Sequence, residues 1–362
     1  MQGSEYSHTL LSIQGVPVYG ASHLLGFFSV FNPTHYQSMD YNTSAGQSTR
    51  LGGSIDMILK DNIPGRTKGE FSAGLLSFQG TIELPTGSNS ALFLSGRKSY
   101  INLLYGSYLK YDDEPLTYGF FDSNITWLWK PDAKNRIWID LFGGKEDGVF
   151  NYTKVSSDMG ASWYNALGSV HWDHFFGAVT LKQTLYGTMN GLKAHITIPN
   201  ASGRMPSYIR SYGYKATATM GGWEAGVDLA YHKALPQNPE AEGHYNTTNT
   251  ASEPVQDGFE AKIHAGYSKF LGYYTELKAG LGGSWYLSPE RESFWGITPQ
   301  AEAAFIIPGG GKLSLRTGIS RQVLFQTGFT NTGLPIEFWI LAGKLSKPQW
   351  AANYALSYNL EF

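Results

Sequence analysis

The tightest cluster of side chains able to hold a metal or move a proton is His171-Trp172-Asp173-His174. Imidazole and carboxylate ligation would be its chemistry, but the spacing argues against it. In a strand, residues three apart point to opposite faces, so the two imidazoles cannot converge on one ion. A pair satisfied by polar neighbours, or lying at an interface, is the simpler reading. Asp112-Asp113-Glu114, and Glu253 with Asp257, fall in polar stretches read as loops. Carboxylates there could gather round a cation, but solvated loop charge explains them equally simply. Gly309-Gly310-Gly311 lacks the Lys-Ser/Thr of a phosphate loop and reads as a turn. Serines, histidines and acids are scattered without a nucleophile elbow, and the chain has no cysteine, hence no thiolate nucleophile, thiolate metal site or disulfide. No catalytic residue, metal site or cofactor is expected, and the chain is not read as an enzyme.

Stacking is the chemistry that remains. Tyr105, Tyr108 and Tyr111 lie in a Tyr-rich stretch from Asn102 to Leu116 read as a loop, and Trp163 and Tyr164 lie beside another, Gly144 to Gly160. Flat amphipathic rings on loops suit a sugar or an aromatic ligand. The same rings suit an aromatic girdle at a membrane interface.

The elements that must position these residues are strands. From Gly69 onward the pattern has period two almost without interruption, and no helix-period segment of useful length survives. In Gly119 to Lys130, Phe121, Ile125, Trp127 and Trp129 fall on one face and Asp122, Asn124, Thr126 and Lys130 on the other. Trp223 to His232, Phe259 to Ser268, Tyr273 to Leu281, Gln300 to Ile307 and Lys312 to Ser320 obey the same rule. Such runs are about as long as the 9 to 11 residues a tilted strand needs to cross a bilayer. Short turns at Pro131 to Asn135, Phe175 to Gly177, Met220 to Gly222, Leu271 to Gly272 and Pro308 to Gly311 alternate with long polar stretches. These are Gly144 to Gly160, Gly191 to Pro206, Ala234 to Asp257, Ser288 to Phe294 and Arg321 to Lys347. That alternation is the asymmetry of outer-membrane barrels, tight on one side and long on the other.

Composition agrees. Charged residues are 15% against about 25% in soluble domains. Aromatic residues also make up 15%, glycine numbers 43, and the mean hydropathy is only −0.25. No run of about 20 apolar residues exists, so a helical membrane protein is excluded. A weakly polar average rich in Tyr, Trp, Phe and Gly is what a transmembrane barrel has, since every other residue faces a wet interior. With a net charge of −2 and scattered Lys and Arg there is no footprint for nucleic acid. The fold class expected is all-β, a transmembrane antiparallel β-barrel of about fourteen strands, the last being Ala352 to Phe362.

Ahead of these strands lies a stretch too apolar for a surface linker, from Gln14-Gly15-Val16-Pro17-Val18-Tyr19-Gly20 through Ser22-His23-Leu24-Leu25-Gly26-Phe27-Phe28-Ser29-Val30-Phe31-Asn32-Pro33. Phe27, Phe28 and Phe31 in so short a run must be buried. The stretch resembles the plug of TonB-dependent outer-membrane receptors, with Gln14 in place of the usual Asp. A second match follows at family spacing, Arg50-Leu51-Gly52-Gly53-Ser54-Ile55-Asp56-Met57-Ile58, with Leu51 where Tyr is common. The resemblance implies the C-terminal part of a plug over residues 1–61, a linker over 62–68, and a barrel over 69–362.

The resemblance further implies import of a scarce nutrient across the outer membrane of a Gram-negative bacterium. The partners implied are outer-membrane lipid, the TonB energy-transducing complex and a small nutrient ligand of unknown identity. The turn after the Val-Pro-Val strand lies at the plug's outer apex in the family, which puts Tyr19, Ser22 and His23 where they can touch a ligand or, alternatively, pack against the wall. Met1 to Tyr6 is not a signal peptide, and family barrels have twenty-two strands, so sequence is expected to continue at both ends. Gly333-Leu334-Pro335-Ile336-Glu337-Phe338-Trp339 and Lys347-Pro348-Gln349 resemble mid-receptor segments, whereas the alternate stripe Tyr354, Leu356, Tyr358, Leu360, Phe362 resembles a final strand. Two other functions remain open: a complete small barrel acting as a passive pore with an N-terminal constriction, and a soluble secreted carbohydrate-binding β-protein.

Overall fold

The computed structural model describes residues 6–20, 22–23, 28–42, 50–111, 113–152, 156–237, 240–243, 255–328, 337–344 and 346–360. Leu24 to Phe27, Asp112, Glu253, Gly333 to Ile336 and Phe362, singled out above, lie outside the described residues.

The N-terminal part forms β1 (Leu10–Ile13), β2 (Val16–Pro17), β3 (Ser22–His23), β4 (Phe28–Ser29), β5 (Tyr36–Asn42) and β6 (Ser54–Leu59). Four of these make one small sheet in the order β2-β1-β6-β5, with β1 and β6 parallel, while β3 and β4 pair separately. The β1–β2 turn puts Gln14 and Gly15 at φ 48 and 77, the left-handed pair that a two-residue hairpin requires. Glycine takes that conformation freely and glutamine does not. Gln14 is held there because its Oε1 accepts the Leu59 N–H at 3.0 Å. Asp56 secures the other side, its Oδ1 accepting from the Gly15 N–H at 2.8 Å and the Ser12 hydroxyl at 2.6 Å.

The wall begins with β7 (Lys68–Ala73), β8 (Ser77–Gly87) and β9 (Ser90–Ser99), followed by a short helix α1 (Ile101–Tyr105) and β10 (Lys110–Tyr111). It continues through β11 (Glu114–Asp132), β12 (Asn135–Tyr152), β13 (Ser157–Phe176), β14 (Val179–Ile198), β15 (Ala201–Met220), β16 (Trp223–Leu235) and β17 (Glu240–Gly243). Then come β18 (Gln256–Leu271), β19 (Thr275–Leu287), β20 (Ser293–Ile307), β21 (Gly311–Gln322), the hairpin β22 (Leu324–Gly328) and β23 (Glu337–Leu341), and β24 (Gln349–Asn359). Fourteen of them pair antiparallel in one continuous path from β7 to β24, with β10 on β11 and β17 on β15 beside it. The strand number matches the expectation. Among the described residues β7 and β24 do not pair with each other, so the sheet is an open wall.

Its two faces are inverted relative to a soluble sheet. Along β11, Asp122, Asn124 and Thr126 are 0 to 2% exposed, whereas Phe121, Ile125 and Trp129 are 39 to 45% exposed. Leu185, Trp223, Ile263, Leu281, Ile297, Leu315 and Leu356 continue the outward apolar belt around the wall. Burying acids and amides while showing Trp, Leu and Ile outward is unfavourable in water and favourable in lipid, the pattern of a transmembrane wall.

The short turns fall where expected, and Gly177 and Gly221 close two of them at φ 61 and 59. Most of the long stretches are not loops, and here the sequence reading is corrected. Pairing of β12 with β13 runs out to Tyr152 opposite Ser157, and that of β14 with β15 to Ile198 opposite Ala201. Beyond the lipid both faces are wet, so side chains lose the apolar alternation while the backbone ladder continues. Asn102 to Leu116 likewise holds α1 and β10, and Arg321 to Lys347 holds the β22–β23 hairpin.

Candidate functional site

The site is the inner face of the wall, where the N-terminal segment is seated. Ile13, Val16, Val18, Val30, Phe31, Tyr36, Met57 and Leu59 form one buried cluster with wall residues of β9 to β14, among them Phe93, Leu128, Trp138, Phe142 and Leu167. Here large apolar side chains interrupt an otherwise polar inner face where they meet the segment. The apolar contact therefore fixes which side of the wall the segment occupies.

Polar groups fix its register. Arg97 Nε and Nη2 donate to Asp122 Oδ2 at 3.1 and 2.6 Å, and Nη2 also donates to the Ser29 carbonyl. The Tyr36 hydroxyl donates to Asn124 Oδ1 at 2.8 Å. His35 Nε2 meets Thr126 Oγ1 at 2.8 Å, and that hydroxyl in turn donates to Asp140. A hydroxyl has one proton, so Thr126 must accept from His35, which puts the imidazole proton on Nε2. Burial, helped by the charge of Lys60, lowers the His35 pKa to about 3 and keeps the ring neutral. Lys60 itself pairs with Glu83 at 2.6 Å, Arg136 with Asp61 at 3.2 Å, and Lys215 donates to the Gly15 carbonyl at 2.8 Å.

At the long-loop side, the chain between β21 and β24 turns inward. Its β22–β23 hairpin packs Val323, Leu324, Phe325, Trp339 and Leu341 against Ile209, Ala234 and Tyr286 of the wall. Tyr286 donates to the Ala342 carbonyl at 2.8 Å, and Gln256 Oε1 accepts from the Leu341 N–H at 2.9 Å. Tyr19 lies beneath it. Its ring meets Trp339 edge-on at 5.2 Å, with the Arg50 guanidinium 4.3 Å from the Trp339 ring and 5.7 Å from that of Tyr19. Arg50 also donates to the Ser7 carbonyl at 2.8 Å. The Tyr19 hydroxyl is 2.5 Å from Ser211 Oγ, which is 2.7 Å from His232 Nδ1. Burial raises the Tyr19 pKa to about 12, so the phenol is a neutral hydrogen-bonding group.

Of the residues singled out from sequence, Tyr19 is thus fully enclosed between wall and hairpin. Ser22 and His23 form β3, opposite Ser29 and Phe28, and their side chains lie outside what is described. Tyr105 ends α1 half-buried, Tyr108 is 82% exposed, and Tyr111 lies in β10 with its side chain likewise outside what is described. Trp163 and Tyr164 are not on a loop but within β13, where adjacent residues face opposite ways. Trp163 shares the inner face with Asn165, which bonds Gly20, whereas Tyr164 turns outward over Gly191 of β14. His171 bonds Ser169 and Thr184 on the inner face, while His174 stacks outside with Trp172 and Phe176, so the two imidazoles diverge as expected. Among the described residues no three His, Asp or Glu side chains gather to hold a metal ion. Arg50, Trp339, Ser211 and His232 were missed. The first two lie inside quoted motifs, but nothing in the sequence says that they meet.

No family model and no curated protein matches the chain. Solved structures do. The siderophore receptor PirA from Acinetobacter baumannii superimposes with a TM-score of 0.68 at 11% identity, covering 100% of this chain and 62% of that one. A mutant of the ferric enterobactin receptor PfeA from Pseudomonas aeruginosa gives 0.68 at 12% identity with the same coverage. The Serratia marcescens hemophore receptor HasR, in complex with its hemophore HasA and heme, gives 0.65 at 12% identity, covering 98% of this chain and 62% of that one. The chain thus spans about three-fifths of the length of each. These are transport receptors and not enzymes. The inverted wall, the segment seated on its inner face and these superpositions agree: the chain has the fold of the TonB-dependent outer-membrane receptors, a plug held against a β-barrel wall.

Proposed function

We propose that this chain is part of an outer-membrane receptor that imports a scarce, iron-related nutrient by energy-coupled movement of its plug. One observation carries the reading: a plug-like segment is docked by both apolar and charged contacts on the inner face of a wall whose outer face suits lipid. A passive pore has no use for so extensive a seat. A soluble carbohydrate binder would present its belt of Trp, Leu and Ile to water. In this reading residues 1–61 are the later part of the plug, 62–68 a linker and 69–362 wall, and the TonB complex pulls on the plug from the periplasm. The open β7 and β24 edges pair with further strands of the whole receptor, because an unpaired backbone edge in lipid is costly by several kcal/mol per group. Small iron chelates are the ligand class, by analogy with the enterobactin bound to PfeA and the heme of the HasR complex. Tyr19, Ser22 and His23 contact the ligand once the β22–β23 hairpin lifts, and Tyr105, Tyr108, Tyr111 and Trp163 are the outer candidates, whereas Tyr164, on the outward face of β13, serves the membrane girdle.

The test is uptake of radiolabelled ferric enterobactin and of heme by cells that lack their own receptors and express the whole receptor. Uptake of either, abolished by collapsing the inner-membrane proton gradient, is expected. Uptake that persists after collapse would replace this reading with the passive pore, and uptake of neither would remove the iron-related ligand class.

A further inference from the structure

The outer face of the wall carries an apolar trough with a basic rim. On its floor Gly168 of β13 stands opposite Gly187 of β14. Across the same row Leu141 of β12 pairs with Gly168, Tyr212 of β15 with Gly187, and Tyr231 of β16 with Tyr212. Two adjoining positions without side chains therefore leave a hollow between a leucine and two tyrosines, with Leu185, 62% exposed, beside it. The hollow has a volume of about 650 Å³ and an apolar lining.

Its height on the wall follows from the strands. Outward residues of β16 run Trp223, Ala225, Val227, Leu229, Tyr231, an apolar course of about the 9 residues that cross a bilayer, and the next outward residue is Lys233. On β15 the course from Met220 ends at Tyr212, and Arg210 follows. Arg210 stands directly opposite Lys233, and like charges so placed repel. The carboxylate in register with Lys233, that of Asp257, is held by Arg291 at 3.1 Å. Among the described residues neither Arg210 nor Lys233 has an ion-pair partner. The Arg210 guanidinium lies 4.6 Å from the Tyr208 ring, and its Nε is enclosed without a hydrogen bond. Two cations thus meet at the edge of the belt away from the short turns, two residues, or about 7 Å, along the strands from the trough.

We propose that this face binds a phosphorylated glycolipid of the outer leaflet, with a phosphate between Arg210 and Lys233 and an acyl chain in the trough over Gly168 and Gly187. The site depends on the lipid-facing wall alone and is independent of what the receptor imports. A guanidinium offers parallel N–H donors to two phosphate oxygens, and the ammonium beside it adds a compact charge. An anion set between the two offsets their repulsion, whereas a zwitterionic lipid brings a cation of its own against them. In the trough an acyl chain touches protein on its sides as well as beneath, so it makes more dispersion contacts than on the flat belt. The rim lies on the side where β14 and β15 continue to Ile198 and Ala201, the side of a barrel that faces away from the periplasm. The leaflet on that side of a Gram-negative outer membrane is built of phosphorylated, multiply acylated glycolipid, which supplies both groups in one molecule.

The test is native mass spectrometry of the whole receptor in detergent, titrated with bisphosphorylated lipid A, with the same lipid stripped of its phosphates, or with phosphatidylglycerol. The wild type is expected to retain bisphosphorylated lipid A several-fold more strongly than either of the others. Arg210→Gln with Lys233→Gln should bring retention down to that of the phosphate-free lipid. Gly168→Leu, where an added Cβ comes no nearer than 3.4 Å to Leu141, should fill the trough and weaken retention several-fold. Lys269→Gln, at an outward lysine beyond Tyr267 on the other edge of the belt, should change nothing. The two glutamines lie outside the belt, so that variant reports even where the leucine variant fails to fold. Undiminished retention in the double glutamine variant, or equal retention of the phosphate-free lipid, would overturn the headgroup site. Undiminished retention in folded Gly168→Leu would overturn the trough. Equal retention of phosphatidylglycerol would overturn the glycolipid in favour of any anionic lipid, and an equal loss in Lys269→Gln would overturn the site in favour of general charge attraction.

Discussion

Removing the Arg97 guanidinium should loosen the plug and weaken the wall by separable amounts. Arg97 and Asp122 are 7% and 1% exposed as side chains, and the arginine approaches one carboxylate oxygen from two nitrogens at 2.6 and 3.1 Å. In Arg97→Met the carboxylate stays buried without those donors, for which about 3 to 5 kcal/mol of lost stability is expected. The same substitution deletes the charged hydrogen bond to the Ser29 carbonyl, the link between this wall strand and β4, which contributes about 1.5 to 3 kcal/mol to docking. Replacing both ionic partners by apolar groups is often nearly neutral. Arg97→Met with Asp122→Leu should therefore recover most of the wall's stability but not the protection of the plug. Wall stability is read from urea unfolding in bilayers, and plug protection from amide hydrogen exchange over residues 28–42. Plug exchange that returns to wild type in the double variant would refute the reasoning, since it would show that the Ser29 contact contributes nothing. So would a single variant that costs less than about 1 kcal/mol, because the carboxylate would then have another source of compensation.

Three further outcomes concern the wall and its hairpin, and a fourth the docked plug. Val227→Arg, on the lipid face of β16, should destabilise the wall by about 2 to 4 kcal/mol, and a spin label there should be reached by oxygen and not by a polar relaxant; the reverse accessibility would turn that strand over. Asp228→Arg should also destabilise, because it sets a second cation against Lys215, now 3.4 Å from the carboxylate, and restoring the pair as Lys215→Asp with Asp228→Arg should recover most of the loss in the same unfolding assay. Trp339→Ala should expose residues 337–344 to protease from outside and cost about 3 to 5 kcal/mol where the ring is buried against Tyr19 and Arg50; an unchanged cleavage pattern would show that the hairpin is held without the aromatic contact. His35 gives a pH dependence whose sign is set by its depressed pKa: the docked plug resists protonation and the free segment does not, so docking is fully favoured above pH 6.5 and weakens as pH falls toward 3. Exchange protection of residues 28–42 measured from pH 7 to pH 4 should drop, and His35→Gln should remove that slope.

Much of the wall was legible because strand periodicity is local. Phe121 and Asp122, or Val227 and Asp228, differ by one position, and one position is all that separates lipid from interior. Turns at Gly177 and Gly221 were legible for the same reason, since each places a glycine in the left-handed conformation that its tight turn requires. Reading the outer strand ends as loops failed at the point where alternation stops carrying information. Tyr152 and Ser157 pair through backbone groups, which every residue but proline has in full.

The sequence by itself determined the class of the protein: an all-β wall, apolar outward and polar inward, preceded by a segment too apolar to stand alone. Local pattern suffices for that, because solvent acts on each strand separately. Which groups meet across the interior was decided only by the tertiary structure. Tyr19 and Ser211 are 192 positions apart, and Leu51 accepts from Asn353 over 302 positions. No spacing rule reaches so far, since such partners are chosen by the curvature of the wall and the seat of the plug. The apolar seat that the inner face offers the plug belongs to the same level. Gly266 and Gly280 were both visible in the chain, but only the pairing of β18 with β19 sets them opposite each other.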